Sequence, residues 1–329
     1  MANKPSRGAV HIDSGLTNIS IAYIQSADNF IADRVFPIVE VQNASDEYFI
    51  FNMGDFNRDE AKDRAPATES AGGDFTLTTD TYSIKVKAFH KDVPWQTEAN
   101  ADFDLERAAT EYVTQKMLIA KEKQFVSSYV TAGIWGYQRS GDASGSVGSG
   151  EVLQWNDANS SPITDVEDAA LAIQAKTGFR PNKLILGAKV YSKLKNHPDF
   201  LERVNGGATT DKPAKVLRSL MAAMFEVDEV LVMDAIENTA KEGQTATTDF
   251  ISARHALLVY AAPRPSLMAP SAGYTFRWNK YLGSSKQGIW IKKFEMQKLE
   301  ADRVEGSIAQ AQKLVASDLG AFFQNIVAA

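Results

Sequence analysis

The sequence predicts an α+β fold, on three observations. Two strand-like runs flank a long charged loop near the N-terminus, and a long helical pattern follows them. The second half alternates short apolar strands with helices before it returns to longer strands. Helices and strands distributed in this way build packed layers around a core rather than an all-α bundle or an all-β sandwich. At 329 residues the chain can bury a large core and suggests about two domains.

Met1 to Ser45 reads as an extended arm. Gly, Ser, Asn and Asp dominate its start, and an apolar run from Phe30 to Val39 follows. Pro37 opposes a helix there and pushes the residue before it to extended geometry. Val35, Phe36, Ile38 and Val39 need a surface to lie on. That surface is either the protein's own core, with the run as a first strand, or a neighbouring subunit.

Tyr48-Phe49-Ile50-Phe51, then Phe75 to Thr79 and the alternating run Tyr82 to Phe89, read as the strands of an extended hairpin. Between them Gly54 to Gly73 (GDFNRDEAKDRAPATESAGG) is dense in charge and broken by Pro66 and the Gly72-Gly73 pair. The stretch reads as a loop with no apolar face to pack on its own domain, and long loops of that kind are functional or disordered. No reactive constellation lies in it, so contact with another molecule is its expected role.

The strongest helical pattern comes next. Asp102 or Asp104 offers an N-cap and Glu106 an acidic first turn. Leu105, Ala109, Tyr112, Val113, Met117, Ala120, Phe125, Val126 and Tyr129 recur at helical spacing, with Gly133 as the stop. Some 30 residues at 1.5 Å each would make a rod of about 45 Å, more a spine than a ligand site.

Arg139 to Pro162 is Gly/Ser-rich and reads as a solvated loop. Beyond it helices are expected over Ile163–Thr177, Ala188–Lys195 and Ala214–Phe225. Strands are expected over Lys183–Leu186, Glu229–Met233 and His255–Tyr260. Together they make a mixed α/β unit closed by the turn Ala261–Pro265. Strands over Tyr274–Trp278, Gly288–Lys298 and Asp302–Val315 follow, and Leu319–Val327 reads as a short apolar tail.

Composition excludes several functions. Hydrophobic residues at 44% and charged residues at 23% are the globular balance. A net charge of -6 argues against a protein whose main task is to grip nucleic acid, since such domains carry a basic stripe. With no cysteine there is no disulfide, thiolate nucleophile or cysteine-held zinc. No apolar run of about 18 residues spans a membrane, and no apolar core follows the early basic residues to make a secretory signal. A cytoplasm-like compartment is the expectation.

Candidate chemistry is sparse. His11, His90, His197 and His255 stand in no metal-ligand spacing. Asp55, Asn57 and Asp59 match the start of a calcium loop, but Glu60 stands where its glycine is needed and Pro66 where its bidentate Glu is needed. Gly145, Gly148 and Gly150 lack the Lys-Ser/Thr pair of a phosphate loop, and no G-x-S-x-G elbow exists. No catalytic, cofactor or metal residue is therefore assigned. Arg277, Lys280, Lys286, Lys292, Lys293 and Lys298 make one segment basic. It reads as a solvated strand face, a nucleic-acid patch, or a partner for the acidic hairpin tip, where single exposed pairs contribute about 0.2–1 kcal/mol.

Arm, hairpin, spine helix, α/β unit and returning strands, in that order, resemble the major capsid proteins of tailed phages, which have the Hong Kong 97-type capsid fold. FIADRVFPIVEV (Phe30 to Val41), YFIFNMGDFNRDEAKDRAPATESAGG (Tyr48 to Gly73), FHKDVP (Phe89 to Pro94) and ATEYVTQKMLIAKEKQF (Ala109 to Phe125) are similar to one subgroup of them. The resemblance implies an N-terminal arm over residues 1–45 and an extended β-hairpin loop over 46–100. It implies a peripheral domain with the spine helix over 101–162 and 273–329, and an axial α/β domain over 163–272. The implied function is self-assembly, as hexamers and pentamers, into the icosahedral head of the virion, put together in the host cytoplasm. The shell would enclose double-stranded DNA without sequence-specific binding, with a portal and separate scaffolding or decoration proteins as further partners. Asp55, Arg58, Asp59, Glu60, Lys62, Asp63, Arg64 and Glu69 are then the candidate intersubunit contacts. Lys62 and Asn325 are the residue types of an isopeptide crosslink, but no surrounding motif matches, so that chemistry is not carried over. An encapsulin-like compartment shell and a soluble α/β enzyme are the alternatives.

Overall fold

A computed structural model describes residues 24–205, 218–266, 268–282 and 288–328. The first half of the expected arm, His11, Lys286 and the start of the helix expected over Ala214–Phe225 lie outside the described residues. In chain order the first elements are α1 (Ala32–Val35), β1 (Ile38–Val41), β2 (Ser45–Phe51), α2 (Met53–Phe56), β3 (Leu77–Ser83), β4 (Val86–Pro94), α3 (Trp95–Glu98) and α4 (Leu105–Tyr129). Next come β5 (Tyr137–Asp142), β6 (Glu151–Leu153), α5 (Pro162–Thr177), β7 (Lys183–Gly187), α6 (Ala188–Leu194), α7 (Pro198–Asn205), α8 (Arg218–Met224) and β8 (Glu229–Met233). The rest are β9 (Ile236–Asn238), β10 (Thr248–Phe250), β11 (Ala256–Val259), β12 (Gly273–Trp278), α9 (Asn279–Leu282), β13 (Ile289–Met296), β14 (Ala301–Leu314) and β15 (Gly320–Gln324).

The arm turns helical where extended chain was expected. Pro37 acts only on Phe36, which is extended at φ -102° and ψ 144°. The turn before it forms because the Glu122 carboxylate accepts from the Ile31 and Ala32 N–H groups at 3.0 and 2.9 Å, supplying partners to donors a helix start leaves unpaired. Ile31, Ala32, Val35 and Phe36 bury in the main core, and β1 pairs in parallel with β12. Of the two surfaces considered, the chain's own core takes Val35 and Phe36, while Ile38 and Val39 stay half-buried on β1.

Asp104 is the N-cap of α4, its carboxylate accepting from the Arg107 N–H at 2.9 Å. Asp104→Ala is expected to lower subunit stability by about 1 kcal/mol, read as a shift in urea midpoint at unchanged slope. The helix ends at Tyr129, short of Gly133, so its 25 residues make a rod of about 37 Å. Leu105, Ala109, Val113 and Met117 pack on Ile289, Val304 and Ile308 of the underlying sheet. That approach depends on Gly306, where a Cβ would stand 2.7 Å from Val113 Cγ1. Farther along, Phe125 and Tyr129 join the main core, each in ring contact with Phe36 at centroid distances of 6.0 and 5.3 Å.

β14 is the backbone of one sheet: residues 301–308 pair with β13, 301–309 with β4, and 310–314 with β12. The expected single strand Tyr82 to Phe89 is two, because Ile84 N–H bonds Ala44 C=O at 2.7 Å and ends β3. Tyr82 and Ile84 then bury beside Phe276 while β4 crosses to β14.

The second sheet has the order β6-β5-β15-β11-β7-β8. It corrects two expectations. The Gly/Ser-rich stretch is not simply a solvated loop, since β5 and β6 lie in it and Trp155 is fully buried. The apolar tail supplies β15, between β11 and β5. α5 is capped at its C-terminus by Gly178, whose left-handed φ of 79° suits glycine, and its buried face includes Val166, Ala169, Ala170 and Ile173. Among the described residues no helix is long and apolar enough to cross a membrane.

Candidate assembly surface

β2 and β3 pair from Ser45↔Ser83 to Phe51↔Leu77 and form a two-stranded sheet by themselves. The root of this hairpin is fixed. Tyr82 stacks on Phe276 with centroids 4.4 Å apart and planes at 10°. Tyr48 donates to Asp80, directly opposite it, at 2.8 Å, and Lys313 of β14 stands 3.8 Å from the same carboxylate. Burial, then the hydrogen bond to Asp80, pushes the Tyr48 phenol well above its usual range. An isolated two-stranded ribbon is marginally stable in water, so the part beyond this root calls for a partner.

The eight charged residues expected to make contacts divide into two groups. Asp55 accepts from the Thr76 N–H at 2.9 Å and hydroxyl at 2.6 Å, and these bonds hold its carboxyl below the usual range. Arg58 bonds Glu60 at 3.1 Å and lies 3.7 Å from Asp55. Arg64 donates to the Thr68 carbonyl at 2.5 Å. Glu60 fills the space at Gly73, where a Cβ would meet its Oε2 at 2.2 Å. These four brace the loop. Asp59, Lys62, Asp63 and Glu69 are exposed and make no ion pair among the described residues, so they are the charges the tip offers outward.

The tip also carries an apolar surface that the charged composition hid. Phe51, Phe56 and Phe75 form a ring cluster with centroids 5.6–6.0 Å apart. Phe49 (54%), Phe56 (51%) and Phe75 (51%) remain about half exposed, which is much apolar area for a monomer to leave in water. Phe49, Phe51, Met53 and Phe56 line one wall of a cleft of 1180 Å³, with Phe179, Pro265, Met268 and Tyr274 among the residues across it. The signal was Phe56 itself, the last residue of α2, set between two aromatic strand ends.

Other clusters are structural. Glu98, Glu106 and Asp302 bring carboxylate oxygens within 4.8 Å of one another, but the Lys293 ammonium bonds Glu106 and stands 3.2 Å from Asp302, in the place a cation would take. His197 Nδ1 accepts from Asp199 N–H at 3.2 Å, while Nε2 lies 3.0 Å from the Ser160 hydroxyl and 2.9 Å from the Asp157 carbonyl. His255 accepts from Asn325 N–H at 3.2 Å, and burial pushes its imidazole down. The basic segment is dispersed. Arg277 is buried 3.8 Å from Asp33, Lys293 is held as above, and Lys292 lies over the Trp290 ring at 4.0 Å. Among the described residues none of its cations pairs with the hairpin tip.

Comparison with known proteins agrees with this architecture. A family model described as phage major capsid protein E matches residues 153–268. The major capsid protein of Pseudomonas phage JBD67 is 25% identical over 323 residues, covering 97% of this chain and 98% of that protein. That of Burkholderia phage BcepMu is 25% identical over 279 residues, covering 81% and 83%. The crystal structure of a phage-related protein from Bordetella bronchiseptica RB50 superposes with a TM-score of 0.66 at 22% identity, covering 92% and 93%. The capsid of cyanophage P-SCSP1u does so at 0.61 and 10%, covering 95% and 92%. An encapsulin from Synechococcus elongatus PCC 7942 shares the fold at 0.54 and 11%, covering 94% and 93%. The fold is thus the Hong Kong 97-type capsid fold. Over most of its length the chain is similar to phage major capsid proteins, and its residues 153–268 match the phage major capsid protein E model.

Proposed function

We propose that the chain is a major capsid protein that assembles with its own copies into the icosahedral shell of a phage virion, and that the hairpin beyond its Tyr48–Tyr82 root is the lateral contact, laid over a neighbouring copy of the chain. The observation that carries this reading is the half-exposed Phe49–Phe56–Phe75 surface on a ribbon that pairs with no other strand among the described residues. Asp59, Lys62, Asp63 and Glu69 around it set register and partner choice rather than raw affinity. Residues 1–45 act as an arm, 46–100 as the extended loop, 101–162 with 273–329 as the peripheral domain and 163–272 as the axial domain at five-fold and six-fold positions. The shell is the head of a tailed phage and holds double-stranded DNA without sequence-specific grip, consistent with a subunit of net charge -6. A portal and separate scaffolding or decoration proteins complete the particle, and the subunit has no catalytic part.

Reversing both tip charges, Asp59→Lys with Asp63→Lys, is the test. Sedimentation is expected to show few closed shells and a folded, unassembled subunit by circular dichroism. Wild-type shell yield from this variant would remove the tip charges from the interface. Electron microscopy of particles carrying enzyme cargo instead of DNA would favour a compartment shell.

A further inference from the structure

We propose that Glu122 is a proton-operated latch: protonated, it seats residues 30–36 on the middle of α4, and ionised, it loosens them. Glu122 is 1% exposed. Its Oε2 accepts from the Ile31 and Ala32 N–H groups, residues about ninety positions away in sequence, while Oε1 is buried without a hydrogen-bond partner. A buried carboxylate with one oxygen unpaired is costly when charged and tolerable when neutral. Burial accordingly pushes its acid up to about 7, against the two backbone donors.

The groups around the latch come from each element that meets there. Asp33 of the arm, next to the bonded N–H groups, opposes ionisation of Glu122, and Lys121 of α4 favours it. Lys121 is itself engaged with Asp33 at 2.6 Å. From β12, Arg277 reaches Asp33 at 3.8 Å. From β14, Gln310 donates to Asp33 at 2.9 Å and Gln312 to the Ala32 carbonyl at 2.8 Å. Two acids and two bases therefore meet at one crossing of arm, helix and sheet, and Glu122 is the acid whose second oxygen none of them satisfies.

The sign follows from linkage. An acid raised in the seated state and ordinary in the unseated one binds more protons when seated, so seating weakens as pH rises from its ordinary value through about 7. Opening of the arm is expected to become about tenfold more favourable between pH 6 and pH 8.5. Hydrogen–deuterium exchange on the full chain reads this directly, as protection factors of a peptide spanning residues 30–36, corrected for intrinsic exchange. In Glu122→Gln the tenfold change should vanish while β11 and β7 keep their protection. An unchanged pH response in that variant would overturn the proposal. Should the variant not fold, infrared titration of the wild-type carboxyls decides: an absorbance change with a midpoint near 7 that is lost in no other acid-to-amide variant supports the latch. Full ionisation of every carboxyl below pH 5.5 refutes it.

Discussion

Phe36→Ala should lower subunit stability by about 3–5 kcal/mol, among the largest costs of any single truncation in the arm. Phe36 is 1% exposed, contacts the Phe125 and Tyr129 rings edge-on, and sits against Gly273 at the start of β12. Its removal opens a cavity where the arm, α4 and the main core join. Denaturant unfolding of the unassembled subunit measures the loss, and Phe36→Leu should recover most of it because volume is largely kept. A loss under 1 kcal/mol would mean that the arm is not part of the core in solution.

The second large effect is on assembly and leaves the fold alone. Phe49→Ser with Phe56→Ser removes two half-exposed rings that belong to none of the buried cores, Phe56 packing on Phe51 and Phe75 within the tip. Burying the exposed half of such a ring at an interface contributes about 0.8–1.5 kcal/mol, so losing two weakens each lateral contact by a factor on the order of 10 to 10². Light scattering should find no shells at concentrations where the wild-type subunit closes them, with a melting temperature close to wild type. Closed shells from the double variant at the wild-type concentration would show that the contact lies elsewhere.

The elements legible in the sequence were those whose own pattern decides them. The α4 stripe from Leu105 to Tyr129, the apolar cores of β7, β8 and β11, and the glycine end of α5 all carry their signal locally. What stayed hidden depended on distant partners. One helical turn at Ala32–Val35 forms because Glu122 arrives from α4. The half-polar β5 and β6 become strands because β15 supplies a ladder. Tyr82 to Phe89 alternates correctly, yet divides between two sheets at Ile84. At the hairpin tip the charges were visible and their pairing was not: Asp55, Arg58, Glu60 and Arg64 bond within the loop, and a single phenylalanine among them organised the apolar surface.

The place of β15 has a consequence in time. It fills the gap between β11 and β5, so the six-stranded sheet cannot close until residue 324 has left the ribosome. At ordinary synthesis rates roughly 10–40 s separate the emergence of β5 from that of β15. During that interval Tyr137 and Trp155 lack the Phe323 ring they later pack on, and the two ends of the sheet stay unjoined. A nascent chain therefore carries an unclosed second sheet until β15 is made, although the hairpin over residues 45–83 has emerged well before.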